Sequence, residues 1–127
     1  MNGNNIFVDT NILLYLLSGD ETITEILHKK SIFISFVTEL ELLGFSKLTF
    51  DEESQIKELL NQLTIIDINN EIKKHTIKFR KSYILKLPDL IIASTAYFLN
   101  QPLFKADHQF TQISEANILI YQPKIND

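Results

Sequence analysis

The sequence predicts an α/β fold built on a mostly parallel sheet. Short, fully apolar runs such as Ile6-Phe7-Val8 and Ile32-Phe33-Ile34 read as strands buried on both faces. Longer amphipathic stretches separate them, which implies strand–helix–strand units. Only three Gly and three Pro punctuate the 127 residues, so the elements follow one another closely, with no linker, repeat or low-complexity tract. This length fits one domain spanning residues 1–127.

The elements follow in order. Residues 5–8 form a central strand ending at Asp9, and residues 11–18 a helix apolar nearly all round, hence buried, with Asn11 as its N-cap. A second helix covers 21–28 and a second strand 31–35. Residues 38–45 form the next helix; Thr38 and Glu41 have capping-box spacing, and Gly44 marks a break or bend. A helix over 51–62 starts from Asp51 as N-cap with Glu52 and Glu53 in its first turn. Residues 64–67 give a third strand. Residues 69–83 are helical, with Ile72, Thr76, Phe79 and Tyr83 on one face and Lys74, Lys78 and Lys81 on the wet one. Pro88 opens a helix to Leu99 whose Ala93-Ser94-Thr95-Ala96 stretch allows close packing. Residues 102–106 and 117–120 are the last two strands, and the polar tail 122–127 is expected to be loose.

Composition narrows the chemistry. The absence of Cys excludes disulfides and thiolate zinc sites and suits a reducing cytosol. No basic region precedes the first apolar stretch, which Asp9 and Asn11 interrupt, and no run is long enough to span a bilayer. A cytoplasmic, non-membrane protein is expected. Net charge is −4, unlike a protein that holds nucleic acid by bulk attraction. Yet Lys73, Lys74, Lys78, Arg80, Lys81 and Lys86, six of the 12 basic residues, fall in one stretch opposed only by Glu71. They form either a wet helix face or a basic patch, in which Arg80 is the best phosphate contact.

Parallel topology gathers four acids. A residue ending a strand and a residue beginning the following helix lie at the carboxyl edge of a parallel sheet, where ligands bind in open α/β folds. Asp9 ends the first strand, Glu41 lies in the first turn after the second, Asp89 begins the helix leading to the fourth, and Asp107 follows the fourth. Crowded carboxylates repel unless a cation compensates, and oxygen ligands without Cys select Mg²⁺ or Mn²⁺. Such ions serve phosphodiester hydrolysis. Each acid also has a plain alternative as a helix cap or a partner of the helix dipole; only their coincidence at one edge favours a metal pocket. Glu39 competes with Glu41, and the Thr38 spacing favours Glu41. His28, His75 and His108 lack ligand spacing and read as solvated.

These residues resemble the PIN-domain nucleases, most closely the VapC-type toxins of toxin–antitoxin pairs. Phe7-Val8-Asp9-Thr10-Asn11 is similar to the family's opening strand and first acid. Ser35-Phe36-Val37-Thr38-Glu39-Leu40-Glu41-Leu42 is similar to the second motif, with Glu41 as its acid. Leu87-Pro88-Asp89-Leu90-Ile91-Ile92-Ala93-Ser94-Thr95-Ala96 resembles the third, most specific motif, and Leu103-Phe104-Lys105-Ala106-Asp107-His108-Gln109-Phe110 the fourth.

The resemblance implies a three-layer PIN-like sandwich with a five-stranded parallel sheet flanked by helices. It also implies Mg²⁺ or Mn²⁺ at Asp9, Glu41, Asp89 and Asp107, endonucleolytic cleavage of RNA, a homodimer, and a small antitoxin whose tail covers the site. Asn11, Arg80 and Lys105 are the candidate nucleic-acid contacts. The chain departs from the family at Lys105, where a Thr or Ser is usual, so a cation either limits a second metal or partly neutralises the acids. Gly44 falls one residue earlier than the family's glycine. Three rivals stay open: a catalytically weakened RNA-binding or regulatory module, a nuclease of RNA processing or repair that is not a toxin, and a phosphate receiver. The Glu41 and Asp89 positions do not suit the last.

Overall fold

The computed structural model describes residues 4–106 and 113–122. Along them run β1 (Asn5–Val8), α1 (Thr10–Leu17), α2 (Glu21–Leu27), β2 (Ser31–Ser35), α3 (Phe36–Leu43), α4 (Phe50–Leu60), β3 (Thr64–Ile66), α5 (Asn70–Ser82), α6 (Leu87–Leu99), β4 (Leu103–Lys105) and β5 (Ile118–Ile120). The strands pair in parallel in the order β3-β2-β1-β4-β5, so β1 is central as its apolar run predicts. The polar tail expected over 122–127 lies, beyond Gln122, outside the described residues.

Strand alternation divides the core in two. Ile6, Val8, Ile34 and Phe104 pack with Ile12, Leu13 and Ile23 on one face of the sheet. Phe7 and Leu103 pack with Phe79, Leu90 and Ala93 on the other, where α5 lies against α6. Helices therefore cover both faces, giving the expected three layers. Among the described residues no helix is long and apolar enough to cross a membrane.

Several helices start elsewhere than their sequence signals suggest. Asp9, not Asn11, is the N-cap of α1, its carboxylate accepting the Ile12 N–H at 3.0 Å. Ser35 caps α3, its hydroxyl accepting the Val37 N–H at 3.0 Å, so Thr38 and Glu41 lie inside the helix and form no capping box. The capping box occurs at Thr49 and Glu52 instead, with reciprocal bonds of 2.9 and 3.1 Å. That pair satisfies two orphan N–H groups where a cap at Asp51 would satisfy one, so α4 begins at Phe50. Gly44 ends α3 rather than bending it. Its N–H reaches Leu40 O at 2.8 Å, and a Cβ there would stand 2.5 Å from that oxygen.

The last described strand is tied back to the start of the chain. The Tyr121 hydroxyl donates to Asp20 Oδ2 at 2.8 Å, while Asp20 Oδ1 accepts the Ile23 N–H at 3.0 Å and caps α2. The Tyr121 ring meets Tyr15 and Phe104 edge-on, with centroids 5.8 and 6.1 Å apart.

The Ile23 N–H, and then the Tyr121 hydroxyl, hold the Asp20 carboxyl below its ordinary value of 3.8. The folded chain thus binds this proton less tightly than the unfolded one. The stabilisation is full above pH 3.8 and lost as pH falls through the lowered value. Urea midpoints measured from about pH 6 down to about pH 3 should fall less steeply for Asp20→Asn than for the natural chain. Equal slopes would remove Asp20 from the acid transition.

Candidate active site

Because all five strands run in parallel, β1 and β4 end at the same edge, and α6, which leads into β4, begins there. Asp9 sits one residue past β1. Its N–H extends the ladder to Phe104 O at 3.1 Å, and its side chain caps α1, which leaves it only 6% exposed. Asp89 lies half-buried in the first turn of α6, just after Pro88. Asp107, the fourth predicted acid, lies outside the described residues, as does His108.

Glu41 reaches the edge differently from what its sequence suggests. It stands in the second turn of α3, exposed, and its Oε1 accepts from the Thr10 hydroxyl at 2.5 Å. Thr10 Oγ1 also lies 3.0 Å from the hydroxyl of Thr38, which is fully buried. A hydroxyl has one proton. The carboxylate takes that of Thr10, so Thr38 donates to Thr10. This Thr38–Thr10–Glu41 relay joins the start of α1 to α3 and fixes Glu41 next in space to the residue following Asp9. Glu39 lies in the first turn of α3, whereas the bond from Thr10 goes to Glu41. Sequence reasoning missed Thr10, whose only signal was its place beside Asp9.

Lys105, the last residue of β4, is 5% exposed. Asn11 and all six clustered basic residues, Arg80 among them, are exposed, and Lys74 pairs with Glu71 at 3.5 Å. His28 is exposed as expected, but His75 is not a solvated histidine. It is half-buried, edge-on to Tyr97 at 4.9 Å and 6.4 Å from Phe79, so its ring packs the seam between α5 and α6.

Oxygen-only donors at this edge suit a hard divalent ion. Among the described residues, however, no three acids or histidines gather closely enough to form a metal-holding group. Asp9 and Asp89 are the described carboxylates best placed to hold one, with Asp107 as the third candidate. Beside Thr10 and Glu41 opens a largely apolar groove of about 490 Å³, walled by Leu17, Leu42, Phe45 and Ile56.

The family model for the PIN domain matches residues 6–116. No curated protein sequence is significantly similar to the chain. Among solved structures, the chain is similar to a toxin–antitoxin complex from Klebsiella pneumoniae, at 29% identity and a TM-score of 0.79 over 93% of this chain and 99% of that one. It is also similar to VapBC2 from Rickettsia felis bound to a promoter DNA fragment, at 23% identity, a TM-score of 0.83 and coverage of 93% and 99%. VapBC-1 from nontypeable Haemophilus influenzae matches at 23% identity and a TM-score of 0.72, over 91% and 97%. At 23% identity the last two speak for the fold alone.

Replacing Thr10 by Val keeps its shape and removes the relay, leaving the buried Thr38 hydroxyl without its acceptor. Thr10→Val should lower unfolding free energy by about 1–2 kcal/mol, and Thr10→Ser should restore most of it. Denaturant titration of both variants checks this, and equal stability of the two would rule the relay out.

Proposed function

The chain belongs to the PIN-domain family of nucleases, and on that premise we propose that it is a metal-dependent endoribonuclease, the toxin of a toxin–antitoxin pair. The observation that carries this reading is the relay that fixes Glu41 at the edge where Asp9 and Asp89 lie. Asp9 and Asp89 would hold Mg²⁺ or Mn²⁺, and Asp107 would complete the set. Such an ion, when bound, would supply charge stabilisation at the scissile phosphate and acidify a water at the site. Glu41 keeps one carboxylate oxygen on Thr10 and turns the other to the attacking water, orienting it and accepting its proton. Exposed Asn11 and Arg80 grip the RNA backbone, with Arg80 as a bidentate phosphate contact.

The antitoxin reading draws support from the similar Klebsiella pneumoniae structure, which is a toxin–antitoxin complex. An apolar antitoxin tail would fit the groove between α1, α3 and α4 and end over Glu41, covering the site. A second copy of the chain completes a homodimer, for which exposed Leu14 and Leu40 offer apolar surface. The protein acts in the cytoplasm, where its RNA is.

One observation favours a second reading. Buried Lys105 beside Asp9 suits a weakened site that binds RNA without cutting it. Cleavage with and without chelator separates the two readings.

Asp9→Asn should reduce cleavage of a mixed RNA substrate by at least about 100-fold while α1 still forms, because Asn caps as well as Asp. The natural chain should cut with Mn²⁺ and stop cutting on addition of chelator. Full-rate cleavage by the variant, or cleavage indifferent to chelator, would contradict the assignment. Expressed alone, the chain should arrest growth, and the product of an adjacent small reading frame should relieve the arrest.

A further inference from the structure

Lys105 is an unusual residue to find inside a sheet. β4 is paired on both sides, with Phe104 opposite Val8 and Lys105 opposite Ile120, and Lys105 O accepts the Tyr121 N–H at 2.8 Å. Its side chain leaves the same face as that of Leu103, which packs against Phe7, Leu90 and Ala93. Phe7 pairs with Leu103, so the next same-face residues, Asp9 and Lys105, stand opposite each other at the end of the two strands. That face is covered by α6, whose first turn carries Asp89. A buried ammonium is tolerated only with compensating negative charge, and a buried carboxylate only with the reverse. The charged residues buried at this edge are of both kinds: Asp9 at 6% exposure and Lys105 at 5%. None of Asp9, Asp89 and Lys105 is without a partner.

We propose that Lys105 is the resident cation of the carboxyl edge: it neutralises Asp9 and Asp89 in the metal-free protein and takes the place of one divalent ion, so that the site binds a single ion. The statement about the ion rests on the metal-dependent reading above. The neutralisation stands on the burial and register of Asp9 and Lys105 and on the place of Asp89 in the first turn of α6. A carboxylate pocket with no internal positive charge is held apart by repulsion until ions enter it. Here one positive charge is built into the strand, so the edge is assembled before any ion arrives. The same charge repels a second ion from the adjoining position.

The test counts bound ions and measures stability, neither of which depends on cleavage. Calorimetric titration of the full chain with Mn²⁺ should give one ion per chain. Lys105→Met keeps the apolar stem and removes the charge; it should bind a second Mn²⁺, or bind the first at least about tenfold more tightly. In chelator its melting temperature should fall by roughly 5–15 °C, and saturating Mn²⁺ should recover the loss. An unchanged ion count and affinity would overturn the proposal. So would a fall in melting temperature that Mn²⁺ does not reverse, since that marks a side chain needed only for packing. If Lys105→Met does not fold, the double variant Lys105→Met, Asp89→Asn should fold in chelator, and its failure counts against the proposal. A natural chain that binds no Mn²⁺ removes the metal-dependent reading, while the recovery of the double variant in chelator still decides whether Lys105 neutralises the edge.

Discussion

β1 is hydrogen-bonded on both sides, to β2 through Phe7 and Phe33 and to β4 through Val8 and Phe104. Phe7 and Val8 are also fully buried on opposite faces. A strand so enclosed has no freedom of register, because a slip of one residue would exchange the two cores. Where β1 stops is therefore decided by the sheet. At that point a single residue, Asp9, continues the ladder with its backbone N–H and starts a helix with its carboxylate. The carboxyl edge, and whatever binds there, inherits its position from this junction.

The other edge residues are placed by reference to it. Thr10 follows Asp9 and carries the hydroxyl that meets both Thr38 and Glu41. An exposed glutamate on a helix ordinarily samples several rotamers. A short charge-assisted bond to a threonine, itself bonded to a buried neighbour, selects one of them. Lys105 enters from the neighbouring strand on the face of Asp9. One buried positive charge therefore stands at the strand end opposite buried Asp9.

Net charge describes this protein poorly for the same reason. The overall −4 averages an acidic edge with six basic residues exposed on and just after α5. Attraction of a polyanion depends on local fields at distances near the Debye length, not on the sum over the chain. The apolar groove beside Glu41 adds a third kind of surface, walled by hydrocarbon rather than charge. The groove adjoins the edge built on β1, since Thr10 and Glu41 line it.

Much of this was legible in the sequence because it follows from short-range pattern. β2 spans the residues its apolar run marks, β1 is central as a run without alternation requires, and α6 starts within a residue of Pro88. The placement of Asp9 and Asp89 at one edge needed only parallel topology. What the tertiary structure decided were choices between equivalent local signals. Both Ser35 and Thr38 can cap a helix. Ser35 prevails because β2 pairs with β3 up to Ser35 and Ile66, so the chain turns there and Thr38 is carried inside the helix. Thr38 is then free to bond Thr10, which lies 28 residues away and which no local pattern could connect to it. Lys105 likewise stands out in the sequence only as a cation where the family has a hydroxyl; that it is buried is decided by β5, which closes the far side of β4. Periodicity and caps are written in neighbouring residues, whereas burial and hydrogen-bond partners depend on which distant segments the fold brings together.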